Sequence, residues 1–434
     1  MKRPIFLLLF MLLPIAFYAQ KAKEDFKRDR TLSGSNYVAY PGPHKAMLTK
    51  APAGYQPFYL SHYGRHGSRY LIGTADYDKP YFELLKADSL GKLTAKGKEV
   101  LRKVRMIREE ALSRDGELTL RGAQQHQEIA RRMFKRFPQI FQGNVHVDAK
   151  STIVIRCILS MENALQELSR LNPHLRISHD ASMHDMYYMN FNDTLLFKQR
   201  MPEKARKAFD TFYDRHDKHE RVMREIFNDD TYWAKKGYGR YMNYALFKMA
   251  SNVQSTELRH QLSLYDLFTD EEIYENWLPR NAWWYINYGA SPLNGAKQPY
   301  SQRRLLRRII HEADSCMALE HPGATLRYGH DTMVMPLTCL LDLNGFGQQI
   351  EDLEQLDKSG WRNYEIFPMA CNIQFVFYRR SLADKDVIFK VLLNEDEASL
   401  PLKTDIAPYY HWKDFKDFFL KKLNDYEPLS PIVH

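Results

Sequence analysis

Cysteine is scarce in this chain of 434 residues: there are four, Cys157, Cys316, Cys339 and Cys371. None stands in a Cys-x-x-Cys pair, which argues against a zinc ribbon or thioredoxin-like chemistry. Cys157, Cys339 and Cys371 lie in apolar runs, so buried free thiols are expected, although an oxidising compartment would permit pairing. Past the N-terminus no apolar run approaches the ~18 residues of a membrane span. The formal charge is +9, yet the basic residues form no long tract. No nucleic-acid motif accompanies them. The densest basic cluster, QRRLLRRII at 302–310, sets Arg303, Arg304, Arg307 and Arg308 beside Leu305, Leu306, Ile309 and Ile310. That spacing predicts an amphipathic helix with a solvated basic face.

What is present begins with MKRPIFLLLFMLLPIAFYAQ. Lys2 and Arg3 precede a short apolar run broken by Pro14, and polarity returns at Gln20. This predicts a secretory signal peptide over 1–19, cleaved after Ala19, and a protein exported to the periplasm or the extracellular space. No cysteine near that site offers a lipoprotein anchor. Losing Lys2 and Arg3 would take the charge from +9 to +7 (9 − 2). Hydrophobic content of 44% with 13% aromatics supports a sizeable core. The length suits one large domain with an insertion, or two domains.

Residues 20–54 read as an irregular leader, with SGSNYVAYPGPH rich in turn formers. QPFYLSHYG then predicts a buried strand that enters a glycine-punctuated loop. Helical periodicity covers 80–112 and 119–137. Two helix starts share Gly-x-Leu-Thr-x-x-Gly, at Gly91 and Gly116. Thr94 and Thr119 are natural N-caps, and Gly97 and Gly122 permit close packing in the first turn. NVHVDAKSTIVIRC, 144–157, reads as β-rich, and a helix follows at SMENALQELSRL. From 176 to 300 the chain reads as a mostly helical insertion. ATLRYGHD returns to strand, TMVMPLTCLLDL opens a helix, and MACNIQFVFYRR and DVIFKVLLNE are late strands. The alternation predicts an α/β fold, a mostly parallel sheet flanked by helices, formed by 55–175 and 301–434, with 176–300 as an inserted helical cap. Ligands of such sheets sit beyond the carboxyl ends of strands.

The stretch SHYGRHGSRYL at 61–71 sets His66 between Arg65 and Arg69, with Gly64 and Gly67 loosening the backbone. Two permanent cations disfavour imidazolium and suit a dianion such as phosphate. On their own, the two arginines could be a solvated turn. A distant Gly-His-Asp at 329–331 falls at the same predicted sheet edge and adds His330 and Asp331.

Together RHGSR at 65–69 and GHDTMVMPL at 329–337 resemble the histidine acid phosphatases, the large branch of the histidine phosphatase superfamily that includes phytases and multiple inositol-polyphosphate phosphatases. LTLRGAQQH at 118–126, KSTIVIRCILS at 150–160 and KVLLNEDEASLP at 390–401 are similar to further family segments. The likeness covers about 55–170 and 320–402. Leu71 stands where the family often has proline, and His330-Asp331 where inositol-polyphosphate members often have His-Ala-Glu. The resemblance implies a phosphoglycerate mutase-like fold and phosphate monoester hydrolysis through a phosphohistidine, with inositol phosphates among the allowed substrates. His66 would be the nucleophile and Asp331 the proton donor; Arg65, Arg69, Arg156 and His330 would bind the phosphoryl group. No metal and no cofactor is expected, since the arginines supply the positive charge.

Other readings stay open beside this one. The arginines could serve a non-catalytic exported phosphate-binding protein. Arg156, read in an apolar strand, could pair with a structural carboxylate. Asp331 could cap the helix after it. His216 and His219 have metal-like spacing but suit a solvated helix face, and NAWWYINYGA at 281–290 suits cap core better than a ligand platform.

Overall fold

A computed structural model describes residues 21–427; the expected signal peptide at 1–19 lies outside the described residues. The centre is an eight-stranded sheet in the order β3-β2-β4-β1-β5-β6-β7, with β8 also pairing β6. The strands are β1 Gln56–Arg65, β2 His146–Ser151, β3 Arg176–Asp180, β4 Gly323–Gly329, β5 Asn372–Arg379, β6 Ile388–Leu393, β7 Asp396–Ala398 and β8 Tyr410–His411. The expected parallel sheet is the half β3-β2-β4-β1. The late strands extend it antiparallel from β1, so the whole sheet is mixed.

Alternation along the strands sends side chains to two cores. Tyr59, Tyr63, Phe375 and Phe377 join the core shared with the cap, while Leu60, Val376, Val147 and Leu326 face the opposite side. There the helices Leu120–Arg136 and Ile155–Leu171 close the layer with Ile129, Met133, Met161, Leu165 and Leu168, all buried. Full burial of such a side chain contributes about 1.5–3 kcal/mol.

Four features differ from the sequence reading. Residues 20–54 are not an irregular leader throughout. Lys21–Arg28 is a helix, and Arg30–Tyr37 a 3-10 stretch broken at Ser35. Ala22 and Phe26, four apart on one face, are buried, with Phe26 5.2 Å from Trp277 of the helix Asp270–Tyr288. The apolar face is two residues wide, too thin to stand out in a polar run. Arg176–Asp180, assigned to the cap, is the edge strand of the sheet; its largely exposed side chains give no β alternation. The β-rich run ends at Ser151, and Arg156 sits in the first turn of Ile155–Leu171. Its β-branched residues mislead because Ile153 and Ile155 are exposed rather than in a ladder. The basic helix Arg303–Met317 does not present a freely solvated basic face: Arg303 is buried between Asp193 and Glu427, and Arg308 pairs with Glu312.

The cap is built on the helices Glu203–His216, Tyr238–Val253 and Asp270–Tyr288. A capping box of Thr269 and Glu272 starts the last of these, whose buried residues lie on every side. Ala282, Trp284, Tyr285 and Ile286 of the aromatic run are core, as expected, while Trp283 is partly exposed.

Candidate active site

Strands β1 and β4 are parallel neighbours in register, with Arg65 opposite Gly329. Both chains therefore leave the sheet at one carboxyl edge, side by side. The His66 amide donates to the Gly329 carbonyl (2.9 Å), and the Arg65 amide to Cys371 on the other flank (2.8 Å). This register brings RHG and GHD together although they are more than 250 positions apart.

The loop after His66 is held by close backbone approach. A Cβ on Gly67 would lie 2.3 Å from the Gly122 carbonyl oxygen, and one on Gly122 would lie 2.2 Å from the Ser68 oxygen. Only glycines allow that contact. Thr119 caps the helix by accepting from the Gly122 amide, and Thr94 does the same for Gly97, as expected. Gln125 accepts from the Ser68 amide (2.8 Å) and Ser160 from that of Gly67 (3.1 Å).

His66 is 2% exposed. Its Nδ1 lies 2.9 Å from the Gly67 carbonyl. A carbonyl only accepts, so Nδ1 carries the proton and Nε2 holds the lone pair. Burial, then the charges of Arg65, Arg156, Arg69 and His330, hold its pKa well below the usual value. The ring of His330 stands 5.8 Å away, edge-on. His330 contacts Thr152 Oγ1 (3.2 Å) and is pushed down to about 4 by burial and Arg156.

Arg65 is wholly buried. Its Nη1 donates to the carbonyls of Asn36 (2.8 Å) and Phe367 (3.0 Å). Its Nη2 lies 2.8 Å from Asp331 Oδ2, in ion-pair contact but off the line of a hydrogen bond, and Nε has no partner among the described residues. Arg69 spends Nη1 on the Tyr70 carbonyl (2.8 Å) and stacks 5.5 Å from the Tyr37 ring. Nε of Arg69 and of Arg156 are likewise buried and without a partner among the described residues. Among the described residues neither has a carboxylate within ion-pair reach, so the structural carboxylate considered for Arg156 is absent.

Asp331 opens the helix Asp331–Leu340 and accepts from the Thr332 amide (2.9 Å), so it does help start that helix. Burial raises its pKa, but Arg65, Arg69, an Asn36 hydrogen bond and His330 outweigh it and the net shift is downward. The charges of Arg65, Arg69, Arg156 and His330 thus act on His66, and those of Arg65, Arg69 and His330 on Asp331, which brings the six expected residues into one neighbourhood at the sheet edge.

Asn36 was not foreseen. Its carbonyl holds Arg65 and its amide reaches Asp331 (3.3 Å). Ser35, at φ 58°, turns the backbone so that both contacts form. The sequence offers only a turn-forming SGSN as a hint. His216 does not lie on a solvated face; it bridges Glu275 (2.7 Å) and Glu354 (3.2 Å). His219 pairs with Asp217 (2.7 Å). Two cavities adjoin the site. One of about 380 Å³ runs from Asn36 and Tyr37 toward Arg280 and Trp283. Another of about 310 Å³ borders Thr332 and Met333.

Among solved structures, the Bifidobacterium longum multiple inositol polyphosphate phosphatase, in complex with inositol hexasulfate, superposes with a TM-score of 0.74 at 18% identity, covering 89% of this chain and 97% of that one. The phytase from D. castellii gives 0.63 at 13%, covering 91% and 85%. A Hafnia alvei phytase in complex with myo-inositol hexakis sulphate gives 0.53 at 12%, covering 86% and 98%. At such identities the likeness is one of fold. No curated protein sequence matches the chain. The pattern of the histidine phosphatase superfamily (branch 2) matches residues 64–394, most of the chain. The chain belongs to branch 2 of the histidine phosphatase superfamily, and it is a phosphatase.

Proposed function

We propose that the protein is an exported phosphomonoesterase that works through a phosphohistidine on His66, with inositol phosphates within its substrate range. The observation that carries this reading is the pairing of β1 with β4, which sets the imidazole and the carboxyl group around one cluster of guanidiniums. His66 Nε2 attacks phosphorus, the bond to the ester oxygen breaks, and Asp331 gives its proton to that oxygen. Water then attacks the phosphohistidine, its proton returns to Asp331, and phosphate leaves. Arg65, Arg69, Arg156 and His330 hold the equatorial oxygens, where preformed charge favours the transition state.

The depressed pKa of His66 keeps the nucleophile neutral in acid. Asp331 must be protonated to act, and its low pKa in the free enzyme opposes this. A bound phosphate dianion reverses the balance by like-charge repulsion. The expected kcat profile therefore has an acidic optimum; a flat profile through neutral pH would contradict the assignment. Hydrolysis of p-nitrophenyl phosphate should survive EDTA. His66→Ala should abolish hydrolysis while phosphate still binds, which separates an enzyme from an anion-binding protein. Export is supported by Lys2, Arg3 and the apolar run after them; N-terminal sequencing of the exported form should begin at Gln20.

A further inference from the structure

Asn36 reaches the site from a part of the chain outside the family match, which begins at residue 64. Its 3-10 stretch, Arg30–Tyr37, packs against the cap helices Tyr238–Val253 and Asp270–Tyr288 and against the short helix Asn363–Ile366. Hydrogen bonds pin it from both sides. Gln254, on the cap side, accepts from the Ala39 amide (2.9 Å) and donates to the Thr31 carbonyl (3.0 Å). On the other side Ser35 Oγ accepts from Asn363 Nδ2 (2.7 Å), and the Val38 carbonyl accepts from the Met369 amide (2.7 Å). The Tyr37 ring contacts the guanidiniums of Arg69 (5.5 Å) and Arg280 (5.7 Å). The backbone at Asn36 is therefore held without help from its own side chain.

The two carboxyl oxygens of Asp331 have different surroundings. Oδ1 accepts from the Thr332 amide (2.9 Å). Oδ2 accepts from Asn36 Nδ2 (3.3 Å) and lies 2.8 Å from Arg65 Nη2. A proton on Oδ2 would meet an N–H and a guanidinium, neither of which accepts a hydrogen bond. Oδ1 has one lone pair taken and the other free. The groups that face Asp331 leave this asymmetry standing in acid. Arg65, Arg69 and Arg156 stay charged. His66 and His330 are held low, His330 at about 4. Burial pushes the thiols of Cys157 and Cys371 and the Tyr288 phenol up, so these stay neutral.

Accepting the phosphatase reading above, we infer that Asn36 is a positioning residue for the proton donor: its amide keeps Oδ2 of Asp331 as an acceptor, so that the transferable proton sits on Oδ1. In the first step the P–O bond to the leaving group breaks and the ester oxygen keeps the bonding pair. That oxygen takes the proton from Oδ1, and Asn36 and Arg65 meet the carboxylate charge left at Oδ2. In the second step the proton of the attacking water returns to Oδ1. Asn36 acts through Asp331. A hydrogen bond to the charged form of a carboxyl group favours that form, and the Asn36 bond contributes to the downward shift of Asp331.

The test measures kcat against pH for Asn36→Leu and Asn36→Asp, on β-glycerophosphate, an alkyl ester, and on p-nitrophenyl phosphate. Both variants keep the backbone carbonyl that holds Arg65. Asp331 must be protonated to act, so activity falls as pH rises through its pKa in the complex. Asn36→Leu removes a donor to the charged form, and this falling limb should move up by about 0.5–1 pH unit. Asn36→Asp removes the donor and adds a like charge, so the limb should move further. At the optimum, Asn36→Leu should lower kcat on β-glycerophosphate by about 3- to 30-fold, and by less on p-nitrophenyl phosphate, whose leaving oxygen has little need of a proton. A merely structural role would raise KM on both esters and leave the limb in place. That result, or equal losses of kcat on the two esters, overturns the inference. Should Asn36→Leu fail to fold, the isosteric Asn36→Asp carries the same comparison. Failure of the underlying reading looks different: no ester is hydrolysed, or hydrolysis survives His66→Ala.

Discussion

Two arginines of the cap, Arg221 and Arg240, and the arginines at the sheet edge are held by different partners. In the cap, Arg221 forks onto Glu272 (2.7 and 2.6 Å), and Arg240 spans Asp217 and Asp214 (2.6 and 2.7 Å). Around His66, Arg69 and Arg156 have no carboxylate in reach among the described residues, and Arg65 has that of Asp331. A paired guanidinium holds elements together. A cluster of guanidiniums with too few carboxylates repels itself, and each one that is buried adds a desolvation cost. It persists because the surrounding backbone fixes it: the Asn36, Phe367 and Tyr70 carbonyls each take an arginine N–H. Such a cluster is poised for an anion, and substitutions on the two sides should separate binding and turnover from stability.

The largest effect belongs to the sheet edge. His66→Ala removes the nucleophile and should lower kcat by roughly 10⁴-fold or more, read on p-nitrophenyl phosphate. Asp331→Asn should lower kcat by about 10²- to 10⁴-fold on an alkyl phosphate, whose leaving oxygen needs a proton. The loss should be smaller on p-nitrophenyl phosphate, a good leaving group. Equal losses on both esters would remove Asp331 from the role of acid. Arg156→Ala should cost roughly 10- to 100-fold in kcat/KM and weaken inhibition by phosphate.

These expectations rest on parts of the site that were legible for a physical reason. Arg65, His66 and Arg69 lie within five positions, and Gly329-His330-Asp331 follows a wholly buried strand, so a local pattern carries each half. The strands β4, β5 and β6 were legible because every residue in them is buried. Pairing direction was not, because the switch to antiparallel occurs between β1 and β5, which no turn joins and which most of the chain separates. Arg156 was named by resemblance but set on the wrong element, since β-branched residues in an exposed loop look like a strand. Asn36 acts through its carbonyl and a turn at Ser35, and backbone direction of that kind leaves little trace in side-chain type.

Behind the site, two histidines make acid a stability problem. Burial pushes His62 down to about 3, with the charge of His126 adding to it; burial pushes His126 to about 3 as well. His62 Nδ1 and His126 Nε2 have no partner among the described residues. The folded pKa lies below the unfolded value of about 6.5, so the unfolded chain takes up the proton first. The associated stability is whole above pH ~6.5 and falls as pH drops toward 3, by about 1.4 kcal/mol per pH unit for each group. His126→Gln should remove about one proton from that slope in urea melts taken between pH 6 and 4. An unchanged slope would show that other groups carry the acid limit. Stability should thus decline toward acid, so an acidic rate optimum would sit on a falling stability curve.

The smallest effect lies on the cap side and sharpens the contrast. Arg221 is 41% exposed at its side chain while Glu272 is 8% exposed. An ion pair with one solvated partner contributes about 0.3–1 kcal/mol. Glu272 also closes the capping box at Thr269, and that bond survives without Arg221. Arg221→Ala should therefore lower unfolding free energy by less than about 1 kcal/mol and leave kcat/KM for p-nitrophenyl phosphate within twofold. A loss of turnover as large as that of Arg156→Ala would mean that paired cap arginines reach the chemistry through the helix Asp270–Tyr288, and the division between structural and anion-binding guanidiniums would fail.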